Sequence, residues 1–282
     1  MRLLAFKKDN QSGLAMQVNG NWLDVTASGL PADMVQLLQR PNWQADAQKA
    51  AAAGTPLSLD GLQFLPPFLT PEKILCVGLN YVDHVAESPY KQPDYPTFFA
   101  RFASTLVAHE APIIKPLVSD EFDYEGELVA VIGKGGRHIS VDNALDHVAG
   151  YTIFNEASVR DYQFKAPQWT PGKNFDGTGA IGPWFVTADE LPRGAKGLKL
   201  TTRVNGKLEQ SASTNDMIFD VATQISLASV FTTLRPGDLI ITGTPAGVGF
   251  GKKPPVYLKE GDVCEIEIEQ IGVLRNKVQN ER

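Results

Sequence analysis

A proline-rich connector divides the chain unevenly and limits what each side can form. FLPPFLTPEK, residues 64–73, carries three prolines, each removing a backbone donor and disfavouring helix. Before it lie short strand-like stretches around an Asn19-Gly20 turn in QVNGNWLDV, then an alanine-rich segment whose apolar spacing predicts a helix from about Asp33 to Ala53. After it, strand signals accumulate: KILCVGLN, TFFARF, GELVAVIG, YTIFNE, GPWFVT, LKLTTRVNG, DLIITGT and DVCEIEIEQIGVLRN. Helical patches are fewer, chiefly VDHVAE, VDNALDHVAG and MIFDVATQISLASVF. The expected fold class is α+β and β-rich. A small α+β domain over residues 1–68 precedes a larger domain over 69–282, whose long connections suit a mixed, curled sheet better than a doubly wound parallel one.

Composition bounds the partners. The 282 residues are 43% hydrophobic, enough for one large core, and carry a net charge of −6. With no concentrated basic field, a nucleic-acid or anionic-membrane surface is not expected, and small molecules are. No apolar run is long enough to span a bilayer, and MRLLAFKKDN has charges too early for a signal peptide, so the expected location is cytoplasmic. Cys76 and Cys264 stand far apart in apolar contexts and are expected to be core residues.

Glu125 and Glu127 sit two apart in DYEGELVAVIGKG. Side chains at i and i+2 of a strand share a face, so these carboxylates project together and repel unless a cation or basic group lies between them. Two solvent-facing acids on an edge strand are the alternative. Glu156 follows in GYTIFNEASVRDYQ, and Arg160 and Gln163, at i+4 and i+7 from it, share its side of any helix starting near Asn155. Arg160 there either binds an anion or pairs with Asp161 or another acid. His84 and Glu87, three apart in NYVDHVAES, would share a helix face as a general base with an orienting carboxylate. Lys173, in the loop QWTPGKNFDGTG, is either a held cation facing a developing oxyanion or a surface lysine.

Two glycine patterns carry less. GTGAIG, residues 177–182, fits the dinucleotide fingerprint by letter, but no strand is expected before it and no helix after it, so it reads as a loop. ITGTPAGVGFG, residues 241–251, either exposes N–H groups and the Thr244 hydroxyl to a ligand anion or makes a tight structural turn.

Together these segments resemble the fumarylacetoacetate hydrolase family from about Lys73 to Val278. The carrying motifs are GLNYVDHVAE, with Tyr81, His84 and Glu87; DYEGELVAVIGK; GYTIFNEASVRDYQ; TPGKNFDGTGAIGP, with Lys173; and ITGTPAGVG, with Thr244. The resemblance implies a rolled mixed β-sheet, a homodimer, and a Mg²⁺ ion held by Glu125, Glu127 and Glu156. The family's third ligand is usually Asp where this chain has Glu156, and many relatives carry lysine where Arg101 stands. Hard oxygen ligands suit Mg²⁺, Mn²⁺ or Ca²⁺. The expected substrate is a 2,4-diketo acid such as an acylpyruvate, cleaved by hydrolysis. His84 and Glu87 would activate water, Lys173 would steady the oxyanion, and Arg160, Gln163, Thr244 and Tyr81 would position the substrate. Isomerisation, decarboxylation or hydration of a related 2-oxo acid is the alternative outcome on the same framework, and a non-catalytic metabolite-binding protein is a further one.

Overall fold

The structure, a computed structural model, describes residues 1–88 and 90–282. Most of the expected strands form. The predicted helix from Asp33 to Ala53 is two helices, Met34–Leu38 and Trp43–Ala52. Pro41, between them, offers no N–H and its ring would collide with the preceding turn, while the Asp33 carboxylate caps the first helix by accepting the Val35 N–H at 3.0 Å. Only Val141–Ala144 of VDNALDHVAG is α-helical. Its last residues instead begin the strand Val148–Glu156, where pairing with Gly126–Ile132 outweighs local helix preference.

Among the described residues, two large sheets and a two-stranded one, Phe122–Asp123 with Ser158–Val159, make the molecule. The largest has 12 strands, and from Arg2–Lys8 to one edge it runs Arg2–Lys8, Gly179–Thr187, Val148–Glu156, Gly126–Ile132, Leu239–Ile241, Ile74–Gly78 and Thr97–Ala100. It is mixed: Leu239–Ile241 and Ile74–Gly78 pair in parallel, whereas their neighbours are antiparallel. The N-terminal strands continue this sheet through Leu3 opposite Phe185. The five-stranded sheet contains Lys199–Val204, Lys207–Ser213, Val263–Ile268, Gly272–Asn280 and Ile113–Lys115. Both Asn-Gly turns are left-handed at each residue, as a type I′ hairpin requires: Asn19 and Gly20 at φ 50° and 82°, Asn205 and Gly206 at 52° and 78°.

The strand Gly126–Ile132 is buried on both faces. Leu128, Ala130 and Ile132 join the core beneath Val221–Phe231 and the five-stranded sheet, while Val129 and Val131 join the core covered by the two N-terminal helices. The second face also holds Phe154, Ile241, Ile74 and Cys76. By the two-residue period, Glu127, Glu156 and Gly78 continue that face toward one end of the sheet. There the apolar cover gives way to the polar cleft.

Candidate active site

Two neighbouring strands bring the acids together. Glu125 and Glu127 flank the start of Gly126–Ile132, Glu156 ends its antiparallel neighbour, and Gly126 lies opposite Asn155. Each offers a carboxylate oxygen within 4.8 Å of the others, and all three side chains are buried. Lys173 Nζ lies 2.7 Å from Glu125 Oε2 and 3.3 Å from Glu156 Oε2. Arg160 Nη1 lies 2.7 Å from Glu125 Oε1. Burial works against ionising Glu125, yet Lys173 and Arg160 outweigh it and hold its carboxyl down to about 2. Glu127 receives no such support: burial, then the charges of Glu156 and Glu125, push its carboxyl well above the ordinary range.

That imbalance tests whether the residues fit a metal. Asp123, Glu125, Glu127 and Glu156 are four buried carboxylates beside three buried cations, Arg101, Arg160 and Lys173. The acids outnumber the cations, and Glu156 Oε1 is buried without a hydrogen-bond partner, as an unmet cation site would leave it. The donor set is all oxygen and suits Mg²⁺, Mn²⁺ or Ca²⁺.

The helix Val82–Glu87 places His84 and Glu87 on one side, with Nδ1 3.0 Å from Glu87 Oε1. Both Glu87 oxygens accept the Gly247 N–H at 3.1 Å. His84 lines one cleft together with Glu125, Glu127, Glu156, Lys173 and Thr244, and Tyr90, Phe164, Trp169 and Phe250 supply aromatic walls. Arg160 is committed to Asp123, Glu125 and Gln163 rather than to Asp161, which accepts the Ser119 hydroxyl. Gln163 spends its carboxamide oxygen on Arg160, which leaves its NH₂ as a donor. The Thr244 hydroxyl donates to the Gly126 carbonyl at 3.0 Å. Tyr81 lines a neighbouring cavity with Asp83, Ser211 and Asp216 instead, and its hydroxyl is buried without a partner.

The glycine patterns resolve differently. GTGAIG is not a loop throughout, because its last four residues open the strand Gly179–Thr187. The amides of residues 243–250 face the protein's own carboxylates: Gly243 N–H donates to Glu127, Gly247 to Glu87, and Gly249 and Phe250 to Asp123. Asp123 escaped the sequence reading as part of the site, and Arg101 entered it only as a position where many relatives carry lysine. Asp123 stands one period before Glu125, a signal that could have found it. Arg101 Nη1, 3.7 Å from Glu156 Oε1, is joined to it only through tertiary contact.

The C-terminal fumarylacetoacetate hydrolase profile matches residues 73–279. The chain belongs to the fumarylacetoacetate hydrolase family. Among this family's members, the mitochondrial oxaloacetate tautomerase of Xenopus laevis is 41% identical over 288 residues, covering 99% of this chain and 90% of that protein. A human mitochondrial oxaloacetate tautomerase is 43% identical over 265 residues, covering 93% and 83%. Of solved structures, a fumarylacetoacetate hydrolase from Exiguobacterium antarcticum superposes with a TM-score of 0.88 at 37% identity, with both chains covered completely. A maleylpyruvate hydrolase from a Sphingobium species, in complex with manganese(II) and pyruvate, superposes at 0.83 with 30% identity, again over the whole of both chains. The family's enzymes use divalent metals and act on keto acids, in agreement with the acidic cluster here. Among the described residues, no helix is long and apolar enough to cross a membrane.

Proposed function

We propose that this protein is a divalent-metal-dependent keto–enol tautomerase of a short 2-oxo dicarboxylic acid of the oxaloacetate type. The observation that carries the reading is the shared cleft: the His84–Glu87 pair opens onto the cavity that holds the three clustered carboxylates. Near-full-length similarity to oxaloacetate tautomerases supports the substrate class. Glu125, Glu127 and Glu156 would hold the ion, which supplies Lewis-acid stabilisation of negative charge on a 2-oxo oxygen. His84 takes a proton from the carbon next to the keto group through Nε2, because Nδ1 is held by Glu87. The same ring returns the proton to the enol oxygen, so the keto and enol forms interconvert with no bond between carbons broken. Gln163 offers its NH₂ to the substrate carboxylate, and the aromatic walls exclude water.

A second reading is hydrolysis of an acylpyruvate. It draws on the same pair, since a histidine held by a carboxylate also suits activation of water. Water would add to the distal carbonyl and the carbon–carbon bond would break, releasing a carboxylic acid and pyruvate. A homodimer belongs to either reading, and light scattering should return twice the 30.7 kDa chain mass. The deciding assay follows enol absorbance of oxaloacetate and of a simple acylpyruvate, with pyruvate quantified, in Mg²⁺ and then in EDTA. Metal-dependent loss of oxaloacetate enol without pyruvate supports the tautomerase. Pyruvate released only from the acylpyruvate moves the assignment to the hydrolase, and no turnover of either sinks both.

A further inference from the structure

Asp123 lies behind the carboxylate cluster, fully buried, at the end of the short strand Phe122–Asp123. Its Oδ2 accepts Arg160 Nε at 2.9 Å, stands 2.9 Å from Arg160 Nη2, and accepts the Phe250 N–H at 3.0 Å. Its Oδ1 accepts the Gly249 N–H at 2.7 Å and the Tyr124 N–H at 2.9 Å. The far side of the same guanidinium meets Glu125 Oε1 at 2.7 Å and Gln163 Oε1 at 2.9 Å, and the Phe250 ring covers it, 4.4 Å from Cζ to the ring centroid. One cation is therefore divided between two buried carboxylates.

We propose that Asp123 is a positioning residue that, by sharing Arg160, keeps Glu125 available to a divalent cation. This inference rests on the metal-dependent reading above. An arginine paired with Glu125 alone would close into a neutral one-to-one ion pair, and an incoming cation would then have to compete with a fully committed guanidinium in a buried site, where such pairs are hard to break. Sharing leaves the Asp123–Arg160–Glu125 group with one net negative charge, offset only by Lys173, which is itself divided between Glu125 at 2.7 Å and Glu156 at 3.3 Å. The same carboxylate also ties down residues 249 and 250, close in the chain to Gly247, whose N–H holds Glu87. The metal end and the base end of the cleft are thus registered through one side chain.

The test is Mn²⁺ binding by titration calorimetry, a readout independent of turnover. Asp123→Asn is expected to raise the Mn²⁺ Kd at least tenfold, because Arg160 then neutralises Glu125. Adding Arg160→Gln to that variant restores the charge on Glu125 and is expected to bring Kd back to within about threefold of wild type, whereas a purely structural role would make the double variant worse. Should Asp123→Asn fail to fold, Arg160→Gln alone carries the test: charge sharing predicts a Kd at or below that of wild type, and a tenfold weaker Kd overturns the proposal. Wild-type binding with an unchanged Asp123→Asn Kd overturns this inference and leaves the proposed function standing. A wild-type protein that binds no Mn²⁺ overturns both.

Discussion

At the scale of single residues, His84 and Glu127 do opposite kinds of work. His84 is held by Glu87 at 3.0 Å and in the proposed reaction moves the proton, so His84→Ala should lower kcat by roughly 10²–10⁴-fold with metal binding intact, since general acid–base groups contribute about that much. A fully active His84→Ala protein would remove it as the base. Glu127 is a buried carboxylate between two others and is pushed toward protonation when no cation is near. Glu127→Gln removes an acid whose burial opposes folding and, on the proposed reading, a metal ligand. The metal-free variant should therefore melt higher than metal-free wild type, while the rise in Tm that Mn²⁺ gives wild type disappears. A variant that keeps that rise would take Glu127 out of the ligand set.

At the scale of elements, the stretch GTPAGVGFG acts as a rack of amides, and its glycines are the condition for that close approach. Gly247 sits at φ 104°, and a Cβ on it would lie 2.0 Å from the Glu209 carbonyl oxygen. Gly247→Ala should cost about 2–4 kcal/mol, a left-handed residue plus overpacking, and should lower kcat by displacing the donor to Glu87. Thermal denaturation and steady-state rates measure the two effects separately. A second element-level prediction concerns His109, where Phe64 of the N-terminal part meets the five-stranded sheet. Its Nδ1 accepts the Arg275 N–H at 3.0 Å and its ring meets Phe64 edge-on at 4.6 Å. Burial lowers its pKa below the ordinary 6.5, although Glu110 pulls it up. A depressed folded pKa means the stabilisation is complete above the unfolded value and lost as pH falls from about 6.5 through the folded pKa. Tm measured from pH 8 to pH 5 should fall more steeply for wild type than for His109→Asn, which keeps an acceptor and does not titrate. Parallel curves would refute this.

At the scale of the whole molecule, the site depends on where one face of the large sheet runs out of cover. Val129, Val131 and Phe154 are buried in the core that the N-terminal helices close, and the next positions along that face are the carboxylates. A divalent ion bound only by the folded state should add stability by mass action, about 2.7 kcal/mol at 100 times Kd. EDTA should therefore lower Tm by a few degrees and abolish activity together, with both restored by excess Mn²⁺ or Mg²⁺.

Local chemistry determined much of this. The period of two put Glu125 and Glu127 on one face, the spacing of three joined His84 to Glu87 on a helix, and Asn-Gly dipeptides set both hairpins, because each depends only on backbone geometry over a few residues. The mixed sheet was legible from the sequence of strand signals, whereas the helix break at Pro41 and the strand start at Val148 were misjudged, one by discounting a single proline and the other because a partner strand competes with local preference. Only the tertiary structure decided which cations serve which acids. Arg160 is divided between Asp123 and Glu125, Lys173 spans Glu125 and Glu156, and residues 243–250 give their amides to Glu127, Glu87 and Asp123. These partners lie tens of residues apart, and the strength of a buried charge depends on distance and solvent exclusion, which exist only once the sheets have closed around it.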